Sequence, residues 1–130
     1  MKRKQSGSTP DLRNIVFTQP VLGSQTVAFA ALVTDKENTA NITVFLRPSS
    51  INTTLPFNLE DTDGDGVFTR LVQLPNFADA ETWYITGVAV MDISGRSQFI
   101  SQSELAARGF KTEFLSFVPR LKIRKRARFF

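Results

Sequence analysis

Short runs of alternating apolar and polar residues follow one another along most of this chain, separated by clusters of Gly, Pro, Asn, Asp and Ser. Alternation with a period of two turns one parity toward a core and the other toward solvent, the pattern of a half-buried β-strand. Residues 14–19 (NIVFTQ) put Ile15 and Phe17 on one face, and residues 41–47 (NITVFLR) do the same with Ile42, Val44 and Leu46. Residues 67–74 (VFTRLVQL) alternate with a slip, and residues 112–118 (TEFLSFV) set Phe114 against Leu115 and Phe117. Residues 26–35 (TVAFAALVTD) are apolar and small, as a central sandwich strand can be. Residues 82–92 (TWYITGVAVMD) form the longest and most apolar run, and residues 97–101 (SQFIS) a short one. Pro56, in residues 54–59 (TLPFNL), has no N–H for a ladder and assigns that run to a sheet edge.

Turn signals lie between these runs: PVLGS, DKENTA, RPSS, DTDGDG, PNFADAE and DISGRS. Seven or eight short strands at intervals of about 8–12 residues predict an all-β antiparallel sandwich. Only residues 103–109 (SELAARG) have a helical pattern, with Ser103 as the expected N-cap and Gly109 just past the last turn. In the long run, Trp83 and Ile85 share one parity while Val88, Val90 and Asp92 share the other. A bulge at Thr86–Gly87 brings both sets onto the same core. Trp83 is then a core residue between two sheets; the other role open to a lone Trp is a platform for stacking a sugar. The expected organisation is a polar, disordered lead-in at 1–11, a sandwich at 12–118 and a basic tail at 119–130.

A length of 130 residues suits one domain with a modest core. The chain has no Cys and no His, which excludes a thiol nucleophile, a disulfide framework, a zinc site built on thiolate or imidazole, and a Ser–His–Asp triad. No run of about 18 apolar residues is present to form a membrane-spanning helix. The opening MKRKQSGSTP lacks the apolar segment of a signal peptide. Charge is segregated. Residues 5–119 hold seven basic and twelve acidic side chains, a net of −5, while Lys2, Arg3 and Lys4 precede them. Arg120, Lys122, Arg124, Lys125, Arg126 and Arg128 follow. The basic pI therefore describes the ends and not the body. Acids confined to the turns of a small sandwich rarely line a deep cleft of the glycosidase kind, and no enzyme is expected.

The second half carries GDGVFT (64–69), QLP (73–75), WYITGVAVMD (83–92) and DISGRS (92–97) in that order, followed by SELAARGFKTEF (103–114). Together these segments resemble bacterial immunoglobulin-like and fibronectin-type-III-like surface modules, over roughly residues 14–118. The resemblance implies an immunoglobulin-like β-sandwich of seven or eight strands with one short helical turn before the last strand. It implies a non-enzymatic spacer, stalk or adhesion module of a surface or extracellular protein, joined to neighbouring domains or subunits. The basic C-terminal segment departs from that pattern.

The stretch DTDGDGVFT (61–69) has the opening of a calcium loop. Asp61, Asp63 and Asp65 occupy alternate positions and Gly66 follows, as a hard cation with six to eight oxygen ligands would need. Val67 would offer its carbonyl and Thr69 its hydroxyl. The twelfth position, which should supply a bidentate carboxylate, is Val72, and flanking helices are missing, so an intact EF-hand loop is excluded. Two readings stand. In one, the three aspartates and Glu60 hold calcium weakly, at about 10⁻⁴–10⁻³ M as in extracellular modules. In the other, Gly64 and Gly66 supply positive φ, and the aspartates cap backbone N–H groups of a hairpin connection. Asp92 and Gly95 in MDISGRS call for the same choice.

The segment PRLKIRKRARFF (119–130) also alternates. Lys122, Arg124, Arg126 and Arg128 share one parity, Leu121, Ile123, Ala127 and Phe129 the other, and Lys125 breaks the pattern. A disordered basic linker, a strand added to a sheet edge, and attachment to a polyanion or a membrane surface all fit this pattern. No motif for reading nucleic-acid sequence accompanies it. An assembly or polyanion-binding protein, such as a shell, capsid or filament component, is therefore the alternative function. A glycan-binding module would need exposed aromatic stripes, and the Phe residues mostly fall on inward parities. Asn41 and Asn52 head glycosylation sequons that matter only in a eukaryotic secretory pathway.

Overall fold

The computed structural model describes residues 10–20 and 23–117. In chain order these residues form β1 (Leu12–Phe17), β2 (Thr26–Val33), a 3₁₀ turn (Lys36–Asn38), β3 (Thr39–Pro48), β4 (Leu55–Leu59), β5 (Val67–Gln73), β6 (Ala80–Asp92), β7 (Ser97–Ser101), α1 (Gln102–Ala107) and β8 (Glu113–Phe117). One sheet is ordered β1-β2-β5 and the other β4-β3-β6-β7, with β8 paired to the first half of β6. All pairings are antiparallel. The described residues form an all-β sandwich of eight strands with one short helix before the last, as the alternation predicts. Pro56 lies on an edge strand, as expected from its missing donor.

The core is built from the inward parities. Val27, Phe29, Ala31 and Val33 of β2 face Ile42, Val44 and Leu46 of β3 and Trp83, Ile85, Val88 and Val90 of β6, all buried. Trp83 is fully buried. Its ring stacks on Phe114 at 6.5 Å and 9°, and its indole N–H donates to Ser116 Oγ at 3.1 Å, so its polar edge is satisfied inside the core. The bulge expected in β6 is present. Phe45 pairs with Gly87 and Leu46 with Ile85, leaving Thr86 as the extra residue. Glu81, Trp83 and Ile85 on one side of it, and Val88, Val90 and Asp92 on the other, all face inward.

Gly87 is required by packing. A Cβ there would sit 2.1 Å from Phe99 Cζ and 3.1 Å from the Ile100 carbonyl oxygen. The Phe99 ring, 5.9 Å from Phe45, covers this thin point from the outer face. Phe99 and Phe45 thus occupy an outward parity, unlike Phe29, Phe68 and Phe114 in the core.

The helix begins two residues earlier than expected. Ser101, not Ser103, is the N-cap: it is extended, and its Oγ accepts the Glu104 N–H at 3.2 Å. Ser101 and Glu104 have the spacing of a capping box, and Ser103 falls inside the helix. Gly109, at φ +91°, ends the helix as expected. Leu105 is buried beneath the helix, and Arg108 ties it to β1 through the Asp11 carboxylate and the Leu12 carbonyl, both at 3.1 Å.

The register defines two ends. The upper end holds residues 34–38, 60–66 and 93–96, and β1 starts there. The lower end holds residues 18–20, 23–25, 49–54 and 74–79, and β8 finishes there. The 13 residues of β6 run between them, a span of about 40 Å.

Gly87→Ala should lower stability by about 1–3 kcal/mol through overpacking. Phe99→Ala in the same chain should recover part of that loss, with a coupling of about 1 kcal/mol in a urea-denaturation cycle. Strict additivity would contradict the contact.

Candidate functional site

β4 hands over to β5 through a bridge, with Glu60 N–H donating to the Thr69 carbonyl at 3.1 Å and Thr69 N–H returning to Glu60 at 2.9 Å. Residues 61–66 project beyond it. Asp61 organises this loop: its Oδ1 accepts the Asp65 N–H at 3.1 Å and its Oδ2 the Gly66 N–H at 2.8 Å. Asp65 Oδ1 accepts the Val67 N–H at 3.0 Å. These are the local caps that short acidic side chains offer a turn. Gly64 and Gly66 have φ of +73° and +87°, and Lys36 lies across the loop with its Nζ donating to the Gly64 carbonyl at 3.2 Å. Asp63 is exposed at the tip. Two of the three predicted carboxylates are thus engaged with the loop's own N–H groups. Among the described residues, no three acidic side chains are grouped to hold a metal ion.

Burial works to raise the Asp61 pKa, but the hydrogen bonds it accepts, led by that of Gly66, outweigh it and hold the carboxyl below its ordinary value of 3.8. Beside the loop, an open hollow of about 430 Å³ is lined by Lys36, Thr39, Asn41, Asn58, Glu60 and Asp61 among others. It offers amide, hydroxyl and carboxylate groups to a polar ligand.

Asp92 organises the neighbouring connection from inside. Fully buried, its Oδ1 accepts the Ser94 N–H at 3.0 Å, the Ser94 hydroxyl at 2.6 Å and the Arg96 N–H at 2.9 Å. Its Oδ2 pairs with Arg96 at 2.9 Å. The Ser94 hydroxyl is the main cause of its depressed pKa. Burial opposes the shift, and the Arg96 and Ser94 N–H groups and the Arg96 charge reinforce it. Asp92 therefore builds the turn with Gly95 that the sequence suggests.

At the lower end, Glu81 does the equivalent work, and sequence reasoning missed it. It is buried at the start of β6, and it accepts the Ser49 hydroxyl at 2.8 Å, the Ser50 hydroxyl at 2.7 Å and the Ser50 N–H at 2.7 Å. The available signal was its parity: Glu81 falls in step with Trp83 and Ile85, on the inward face. The predicted cationic residues Lys122, Arg124, Lys125, Arg126 and Arg128, like Lys2, Arg3 and Lys4, lie outside the described residues.

No family model matches the chain, and no curated protein matches it. Among solved structures, it is similar to Cwp6 from Clostridium difficile, with a TM-score of 0.57 and 13% identity over 78% of this chain. The match spans 17% of the Cwp6 chain. At that identity the likeness is one of fold.

Both depressed carboxyls stabilise the fold above their unfolded pKa of about 3.8, and that contribution is lost as pH falls through their lower folded values. Thermal midpoints should hence be insensitive to these groups at pH 5–8 and fall below about pH 4. Asp61→Asn and Asp92→Asn should each lower the neutral midpoint and flatten the acid limb, Asp92→Asn more. At neutral pH, a self-capped turn should melt at the same temperature in EDTA and in millimolar calcium. A rise of several degrees in calcium that Asp63→Ala with Asp65→Ala abolishes would make the loop a metal site instead.

Proposed function

We propose that this protein is a non-enzymatic spacer module of the immunoglobulin-like or fibronectin-type-III-like kind, working in series with neighbouring domains in a surface protein. The observation that carries this reading is the placement of the two chain crossings. β1 starts at the upper end and β8 finishes at the lower, so flanking segments are held apart by the length of β6. The strand order supports the family type. β4 sits beside β3 and not beside β5, which departs from the constant-type immunoglobulin arrangement and suits the fibronectin-like branch. The similarity to a 17% portion of Cwp6 also suits a module within a longer chain. The loop at 60–66 then serves as a turn, and its carboxylates keep the upper end hydrophilic.

Tension applied between the two ends would load the β1–β2 and β6–β8 ladders in shear, so that many hydrogen bonds share the load at once. A full chain pulled from residue 10 and residue 118 should unfold in one step. That step should need more force than pulling between residues 10 and 95, which peels one end. Equal or lower force along the end-to-end axis would contradict a spacer. The assembly or polyanion-binding alternative draws on the six cations from Arg120 to Arg128. Retention on a polyanion that falls steeply with salt would favour it.

A further inference from the structure

The outer face of the larger sheet is nearly free of charge. Along β3, β4, β6, β7 and β8 the outward positions hold Thr, Ser, Asn, Ala, Pro, Met, Leu and aromatic residues, with Arg47 and Glu113 as the charged exceptions. At its centre the Phe45 and Phe99 rings lie 5.9 Å apart over Gly87, and toward the lower end Leu115 and Phe117 project from β8. Phe99 is 59% exposed, Leu115 58% and Phe117 46%. Large exposed apolar groups on a face depleted of Lys, Asp and Glu have the composition of an interface core, where Arg is the favoured charge.

Area and charge decide what covers it. At about 4.8 Å between strands and about 3.3 Å per residue, the strands of this sheet give a footprint of roughly 600 Å², and those of the other sheet about half of that. Specific interfaces begin at about 600 Å² per partner, so this face is large enough to seat a second folded copy and the other is not. It is also self-complementary. Tyr84 lies opposite Arg47 of β3 on one side and Glu113 of β8 on the other, which sets the three side chains in one row across the sheet. The Arg47 guanidinium lies 5.1 Å from the centre of the Tyr84 ring. Among the described residues, Glu113 has no ion-pair partner. A two-fold axis parallel to β6 through Tyr84 exchanges the two ends of this row, so each Arg47 meets the partner's Glu113. The same axis sets the Phe45–Phe99 cluster on its counterpart. An axis along the row would instead set each Arg47 on the partner's Arg47 and each Glu113 on the partner's Glu113, and like charges face to face oppose association.

We propose that the protein self-associates as a parallel, isologous dimer through the outer face of its larger sheet, with Arg47 of each copy paired to the partner's Glu113. The two upper ends then point the same way, so spacers running in one direction pair side by side. Mass in solution reads this pairing independently of the pulling test of the spacer. In sedimentation equilibrium of the full chain from about 1 to 500 µM, the mass should rise from that of one chain toward that of two, with a Kd in the micromolar range of small interfaces. Arg47→Glu and Glu113→Arg should each weaken the dimer by about tenfold or more. An equimolar mixture of the two variants restores opposite charges at both contacts and should dimerise about as tightly as the parent chain. A bond between Arg47 and Glu113 of one chain could not be rescued by mixing. Leu71→Asp, on the outer face of the other sheet, should leave the Kd unchanged. Circular dichroism and melting of each variant establish that the body is folded. Four results would overturn the proposal: a one-chain mass throughout this range, single variants that dimerise as tightly as the parent, a mixture no tighter than its components, or loss of the dimer with Leu71→Asp.

Discussion

The fold depends on one strand that must be inward-facing along its whole length although its apolar residues change parity halfway. β6 pairs with β3 on one side and with both β7 and β8 on the other, so its register fixes half the molecule. Thr86 as an extra residue resolves the conflict, and Gly87 with the Phe99 ring laid over it makes the resolution sterically possible. Shifting a strand by one residue turns its whole apolar set to solvent. Without the bulge, either Trp83 and Ile85 or Val88 and Val90 would lose the core. Each of those side chains is worth about 1.5–3 kcal/mol when buried, so no competing register comes close.

The same strand organises both ends. Glu81 and Asp92 are buried carboxylates on its inward parity, and each is satisfied by a loop it holds in place: Ser49–Ser50 below, Ser94–Arg96 above. A buried charge is costly unless fully hydrogen-bonded, so these loops are constrained to the geometry that supplies the donors. Asp61 repeats the device on the surface. At the upper end Asp61, Asp65 and Asp92 thus serve turn construction.

Much of this was legible in the sequence because period-two alternation is a direct imprint of a two-faced sheet. Ile42, Val44 and Leu46, the edge role of Pro56, the parity of Phe114 and the bulge at Thr86–Gly87 all follow from it. What escaped depends on distance across the fold. Glu81 has its partners 31 and 32 positions away, and no local pattern announces them. Phe45 lies off the Ile42–Val44–Leu46 face, but the Phe99 ring that shields Gly87 from outside comes from a different strand, and no local pattern announces that contact. Ser101 closes the strand-like run 97–101, so the helical pattern from Ser103 onward does not announce it as the cap. The sequence leaves the three aspartates open as ligands or caps, because the N–H groups that Asp61 and Asp65 accept are set by the folded loop.

Native-state hydrogen exchange of the β6 amides tests the central claim most directly. If β6 is a single organising strand, the amides of residues 83–90 exchange only by global unfolding, with one free energy equal to that from urea denaturation. If residues 82–85 exchange through an opening that leaves residues 88–91 protected, the bulge divides the strand into independent halves, and the account is contradicted.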